Sequence, residues 1–273
     1  MKRIYTLLLA ISAVIAATAQ PYLVGHRGSY WGVENTSEAF INGAKKGYDY
    51  LETDIKVTKD GKFVCWHDDN LTKASSQPAI ASNTLSYLKS QKLTQTRGGV
   101  TYTGYICTFE EYLDICKQYG VAPVIEFKWA TGINNNDMSR FHGLYKLIEK
   151  HGLIEEARIL TSMKKSLEHV RTNYPALKCQ FLCYEVSEAN YEWCKTWGIN
   201  PSVQTGGLSK YMARKCHDAG MEVACWTVNS LASYQQHGEL GCTTMTCDYL
   251  MASEMPELEE VDWEALAPTQ PVD

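Results

Sequence analysis

The stretch YLETDIKV, from Tyr50 to Val57, carries two carboxylates two positions apart. Side chains alternate across a strand, so Glu52 and Asp54 project from one face within about 7 Å of each other. Leu51, Ile55 and Val57 beside them are apolar or β-branched, as in a strand inside a sheet, where two unneutralised carboxylates are costly. A hard divalent cation, which takes oxygen ligands, meets that need. His26, Arg27 and His67 lie in the same region of the chain and offer proton transfer and anion binding. Further on, VIEFK places Glu126 and Lys128 two apart, hence on one face, and ACWTVN carries Trp226 near the end of another strand-like run.

These groups need a scaffold that brings distant strands to one point. Strand-like and helical runs alternate along the chain, the pattern of a parallel sheet with crossover helices. Strands are expected at Tyr22 to His26, Tyr50 to Val57, Ala122 to Phe127, Arg158 to Thr161, Cys179 to Tyr184, Pro201 to Gln204, Glu222 to Val228 and Thr243 to Asp248. Eight parallel strands select an α/β fold of the (β/α)8 TIM-barrel type, and no glycine-rich nucleotide fingerprint follows the first strand. In such a barrel reactive residues belong at the C-terminal strand ends, which is where His26, Arg27, Glu126, Lys128 and Trp226 fall. A turn at Lys59 to Gly61 and a short strand Phe63 to Trp66 deliver His67. Residues 69–106 break the rhythm and read as a small, polar insertion after the second strand and its hairpin, with one helical piece near Thr84 to Ser90.

Several motifs occur together in order: HRG at His26 to Gly28, ENTSEAF at Glu34 to Phe40, LETDIKVTKDG at Leu51 to Gly61, WHDDNLT at Trp66 to Thr72, VIEFK at Val124 to Lys128 and WTVN at Trp226 to Asn229. Together they resemble the glycerophosphodiester phosphodiesterase family. The resemblance implies a TIM barrel, one divalent metal ion (Ca2+ or Mg2+), and hydrolysis of small glycerophosphodiesters to glycerol 3-phosphate and an alcohol. It implies metal ligands at Glu52, Asp54 and Glu126, an acid–base pair at His26 and His67, phosphate contacts from Arg27 and Lys128, and a glycerol-pocket wall at Trp226. Which histidine is acid and which base stays open. Glu34 and Asn35 are expected to be architectural, orienting the loop and the first histidine. The sequence departs from the family pattern at Trp31 to Val33, at Cys107 and at Thr246 to Leu250, which bears on pocket shape and so on the alcohol half of the substrate. Two competing readings are cleavage of intact lipid or lysolipid headgroups in the manner of phospholipase D, and a barrel that binds a phosphodiester without turnover.

The remaining sequence bounds the setting. The chain has 273 residues and 45% hydrophobic content, enough for one large barrel domain over residues 20–252. Residues 1–19 join Lys2 and Arg3 to an apolar run ending in Ala17, Thr18 and Ala19, read as a cleaved export signal for a periplasmic or secreted protein. No stable membrane insertion is expected after cleavage. Of 26 basic and 31 acidic residues, removal of Lys2 and Arg3 leaves a net of −7, and Ser253 to Asp273 holds seven acids with no Lys or Arg. The rest is formally neutral, which argues against nucleic acid or an anionic membrane as a partner. The acidic tail is expected to be solvated and partly disordered. The ten cysteines are expected to be mostly buried free thiols. His142, His151, His169, His217 and His237 are expected to face solvent.

Overall fold

A computed structural model of the chain describes residues 20–266. The expected export signal at 1–19 and the last residues of the acidic tail, 267–273, lie outside the described residues. The elements are β1 (Tyr22–Gly25), α1 (Ser37–Lys45), β2 (Tyr50–Val57), β3 (Phe63–Cys65), α2 (Leu85–Lys89), β4 (Leu93–Arg97), β5 (Val100–Gly104) and β6 (Cys107–Thr108), followed by α3 (Phe109–Tyr119), β7 (Ala122–Phe127), α4 (Phe141–His151), β8 (Arg158–Thr161) and α5 (Lys164–Asn173). The last third contains β9 (Lys178–Cys183), α6 (Glu188–Trp197), β10 (Asn200–Gln204), α7 (Lys210–Asp218), β11 (Ala224–Trp226), α8 (Leu231–Glu239) and β12 (Thr244–Cys247).

Strands β1, β2 and β7 to β12 pair in parallel, each with its neighbour, and β1 bonds both β2 and β12. The sheet therefore closes into an eight-stranded (β/α)8 barrel. Register between β2 and β7 sets Asp54 opposite Glu126, so two carboxylates stand at the same height on adjacent strands. Helices start on side-chain caps: Thr36 accepts from Ala39 N–H ahead of α1, and Thr108 forms a reciprocal capping box with Glu111 ahead of α3. Because β1 ends at Gly25, the upper edge of β2 is left free, and β3 and β6 extend the sheet there in antiparallel fashion. That extension carries His67 to the barrel mouth.

Four features differ from expectation. The insertion contains an antiparallel hairpin, β4 with β5, turned at Gly98 and Gly99, both at positive φ. Its polar Thr, Gln and Arg residues hid the strands from a reading based on apolar alternation. The insertion also helps bury a second core of Val64, Trp66, Leu71, Ile80, Leu88, Leu93 and Ile106. The described part of the acidic tail packs on the barrel: Leu258, Val261 and Trp263 lie against the core and Leu266 is buried within it. Those apolar residues, spaced between the acids, provide contacts that charge alone did not suggest. Finally, His151 and His237 are buried rather than solvent-facing, with Nδ1 of each 2.7 Å from the carbonyl one helical turn back, on Leu147 and Ser233. All ten cysteines are buried and unpaired. Among the described residues no helix is long and apolar enough to cross a membrane.

Candidate active site

At the C-terminal mouth a cavity of about 640 Å³ is lined by His26, Arg27, Glu52, His67, Glu126, Lys128 and Trp226, so seven of the eight residues singled out from sequence face one space. The eighth, Asp54, is grouped with two of them: oxygens of Glu52, Asp54 and Glu126 all lie within 4.8 Å of one another, and all three side chains are buried. Alternation on β2 aims the first two inward, and the β2–β7 register supplies the third.

The donor chemistry fits a hard divalent ion. Oε1 of Glu52 and Oδ1 of Asp54 are buried with no hydrogen-bond partner among the described residues. Burial, and then the charges of Asp54 and Glu126, push the Glu52 carboxyl well above the ordinary carboxylate range. Burial and Asp54 likewise raise Glu126 to about 7, against the opposing pull of Lys128 and Arg27. A divalent cation among the three carboxylates offsets the burial and mutual repulsion that raise Glu52 and Glu126. The remaining oxygens are oriented by the protein: Arg27 N–H donates to Glu52 Oε2 at 2.7 Å, and Asn35 Nδ2 donates to Asp54 Oδ2 at 3.0 Å.

Arg27 and Asn35 both have left-handed backbones, with φ of 51° and 57°, and Asn35 N–H donates to the Arg27 carbonyl at 2.9 Å. Such conformations cost about 1 kcal/mol or more each for residues with a Cβ and persist where surrounding bonds impose them. Here the strain turns the Arg27 N–H toward Glu52 and the Asn35 amide toward Asp54. Lys128 Nζ lies 3.6 Å from Glu126 Oε1 and 3.7 Å from Asp54 Oδ1, and Arg27 Nε lies 3.6 Å from Asp54 Oδ2. The two cations thus flank the acidic cluster.

Both histidines are held by carboxylates. His26 Nδ1 lies 2.7 Å from Asp248 Oδ1, and His67 Nδ1 lies 2.7 Å from Asp68 Oδ1. An ionised carboxylate only accepts, so Nδ1 carries the proton in each ring and Nε2 is the free lone pair. Lys128 Nζ donates to that lone pair on His67. Asp248 is clamped in turn, its Oδ2 accepting from Asn229 Nδ2 at 2.6 Å and its N–H donating to Asn229 Oδ1 at 2.9 Å. Burial alone would raise the Asp248 carboxyl, but its bond to His26 and the Asn229 amide bring it below the usual range. Asp68 Oδ2 accepts from Thr72 Oγ1 at 2.8 Å.

Sequence reasoning missed Asp248 as the partner of His26 and Asn229 as the residue that clamps Asp248. It attributed the orientation of that histidine to Glu34 and Asn35, which instead contact Arg27 and Asp54. The signal available was WTVN and the strand-end Asp248, but nothing local links Asn229 to Asp248 or Asp248 to a histidine 222 residues away. The other half of the cavity mixes apolar and aromatic side chains, among them Leu160, Met163, Leu182 and Trp226, with Ser and Thr residues, and Trp226 is fixed by Nε1 donation to the Ser202 carbonyl at 3.0 Å. At its rim Tyr184 and Trp129 are 77% and 61% exposed.

The model of the glycerophosphoryl diester phosphodiesterase family matches residues 25–252, from the end of β1 past the end of β12. The chain belongs to that family. Among members of the glycerophosphoryl diester phosphodiesterase family, it is 25% identical over 238 residues to the glycerophosphodiester phosphodiesterase of Bacillus altitudinis, covering 82% of this chain and 92% of that one. Its barrel is similar to the solved structure of an Oleispira antarctica phosphodiesterase in complex with the product sn-glycerol-3-phosphate, with a TM-score of 0.74 at 18% identity, over 84% of this chain and 94% of that one. A glycerophosphodiester phosphodiesterase of Parabacteroides distasonis gives a TM-score of 0.69 at 18% identity, over 84% and 93%.

Proposed function

We propose that this phosphodiesterase hydrolyses glycerophosphodiesters to glycerol 3-phosphate and an alcohol in a metal-dependent reaction, with His26 and His67 as the acid–base pair. The observation that carries the reading is convergence: Glu52 and Glu126, clustered with buried Asp54, border one cavity together with two carboxylate-anchored imidazoles and two cations.

A phosphodiester is an anion that repels nucleophiles, and its transition state carries further charge. Glu52, Asp54 and Glu126 would hold the Ca2+ or Mg2+ ion, which supplies Lewis-acid polarisation of a phosphoryl oxygen. Arg27 and Lys128 bind the phosphate oxygens from either side of the acidic cluster. Lys128, which here donates to His67 Nε2, finds a stronger acceptor in the anionic phosphate and leaves that lone pair free. One imidazole, neutral, accepts at Nε2 the proton of the attacking hydroxyl, and the other, entering as the imidazolium with a proton on each nitrogen, delivers its Nε2 proton to the leaving alkoxide and ends neutral. Asp248 and Asp68 hold the Nδ1 protons and so keep both Nε2 atoms available. The attacking hydroxyl is that of water, or the substrate's own glycerol hydroxyl followed by opening of a cyclic phosphate. Trp226 forms the wall against the glycerol. The basic and then apolar sequence of residues 1–19 supports a periplasmic or secreted setting for this activity.

The decisive test is release of glycerol 3-phosphate from glycerophosphocholine with and without chelator. His67→Ala abolishes turnover while the metal-induced rise in melting temperature persists; loss of the metal response in that variant overturns the division of roles. Rim residues Tyr184 and Trp129 favour one second reading, a lysolipid substrate whose acyl chain crosses them. Turnover of lysophosphatidylcholine in place of glycerophosphocholine would select it.

A further inference from the structure

The insertion, which looks peripheral in the barrel's topology, reaches the phosphate side of the site through one carboxylate. Glu34 is only 7% exposed and faces three cations: Arg97 NH2 at 3.1 Å, Arg27 NH1 at 3.5 Å and Lys73 Nζ at 3.6 Å. Arg97 and Lys73 both belong to the insertion. Gln95, two residues before Arg97 on β4 and so on the same face, accepts from the Glu34 N–H at 3.0 Å and donates to Glu34 Oε2 at 3.5 Å. Arg97 is itself braced, donating to the Ser29 carbonyl at 3.1 Å and lying over the Tyr30 ring at 5.5 Å. Strand β4 therefore grips the loop after β1 at Ser29, Tyr30 and Glu34.

Arg27 is held differently. Its place is set by main-chain bonds to Glu52 and from Asn35, while its Nε is buried with no hydrogen-bond partner among the described residues. Its approaches to Glu34 at 3.5 Å and Asp54 at 3.6 Å exceed the roughly 2.7–2.9 Å of a charge-assisted hydrogen bond. The guanidinium is oriented by negative charge, yet its donors are uncommitted. A carboxylate as buried as Glu34 would ordinarily close that gap and take two Arg27 donors in a forked pair. The contacts from Arg97 and Gln95 satisfy it instead.

We propose that Arg97 is a positioning residue for Arg27: by occupying Glu34 it keeps that carboxylate from capturing the guanidinium, whose donors stay available to the substrate phosphate. This rests on the reading of Arg27 as a phosphate ligand given above. It also gives the insertion a function, since without β4 the Glu34 carboxylate has Arg27 as its nearest remaining cation.

The test is steady-state kinetics on the full chain with glycerophosphocholine and saturating metal. Arg97→Met raises KM about tenfold, the scale of one lost charge-assisted hydrogen bond, with kcat within about twofold. The melting temperature and its response to metal stay near those of the parent. Arg27→Met also raises KM, and adding Arg97→Met to it raises KM no further, because the arginine that Glu34 would capture is already gone. Unchanged KM in Arg97→Met, additive effects in the double variant, or a parallel loss of kcat, KM and melting temperature overturns the proposal. If Arg27→Met leaves KM unchanged, the phosphate role of Arg27 and this proposal fall together; if it raises KM and Arg97→Met does not, only the proposal falls. Should Arg97→Met not fold, Arg97→Lys, which keeps the charge but loses the fork, replaces it: an intermediate KM supports the role and an unchanged one refutes it.

Discussion

Without metal, the acidic triad should make the protein less stable as pH rises. The Glu126 carboxyl goes from an ordinary value of 4.5 to about 7 on folding, chiefly through burial and then through Asp54. A folded-state value above the unfolded one means that its contribution is fully present below about 4.5 and is lost as pH climbs through about 7. Taken alone the shift corresponds to a loss of about 3 kcal/mol by pH 8, and Glu52 moves in the same direction. For a domain of this size that is a fall in melting temperature of about 6–12 °C. A divalent ion removes the repulsion that causes the loss, so the rise in melting temperature on adding Ca2+ or Mg2+ should be larger at pH 8 than at pH 5. Thermal denaturation in chelator and in metal, followed from pH 5 to pH 8, measures both slopes. Glu126→Gln serves as the control, since it keeps every histidine but flattens the chelated profile. A chelated wild type as stable at pH 8 as at pH 5, or a variant with the parent's slope, would show that the carboxylates do not strain the apoprotein as their geometry requires.

Asp248→Asn should lower turnover about 10–100-fold, because an amide no longer enforces the Nδ1–H tautomer of His26, while the metal-induced thermal shift stays intact. Titration of the variant with metal beside its kinetics separates the two. At the other end of the barrel, the Trp263 ring stacks on His217 at 3.8 Å. Trp263→Ala should cost about 2 kcal/mol of stability, read by denaturant unfolding, with kcat and KM unchanged.

Much of the site was legible in the primary structure, and the reason is local. Period-two alternation aims Glu52 with Asp54, and Glu126 with Lys128, to one face of their strands whatever surrounds them. Repeated alternation of strand and helix selects the barrel, and the barrel selects the C-terminal strand ends for chemistry. Asp248 and Asn229 behind His26 could not be read in this way, because a hydrogen bond across 222 residues leaves no periodic trace. Arg97 and Gln95 looked like an ordinary polar segment until β4 was laid against the loop after β1. The tail's Leu258, Val261 and Trp263 were outvoted by the acids around them, although it is apolar contact with the core that seats them. The chain alone thus determined which residues could bind metal and move protons. Only barrel closure decided which partners fix their geometry, since that depends on strand register and on contacts between segments far apart in sequence.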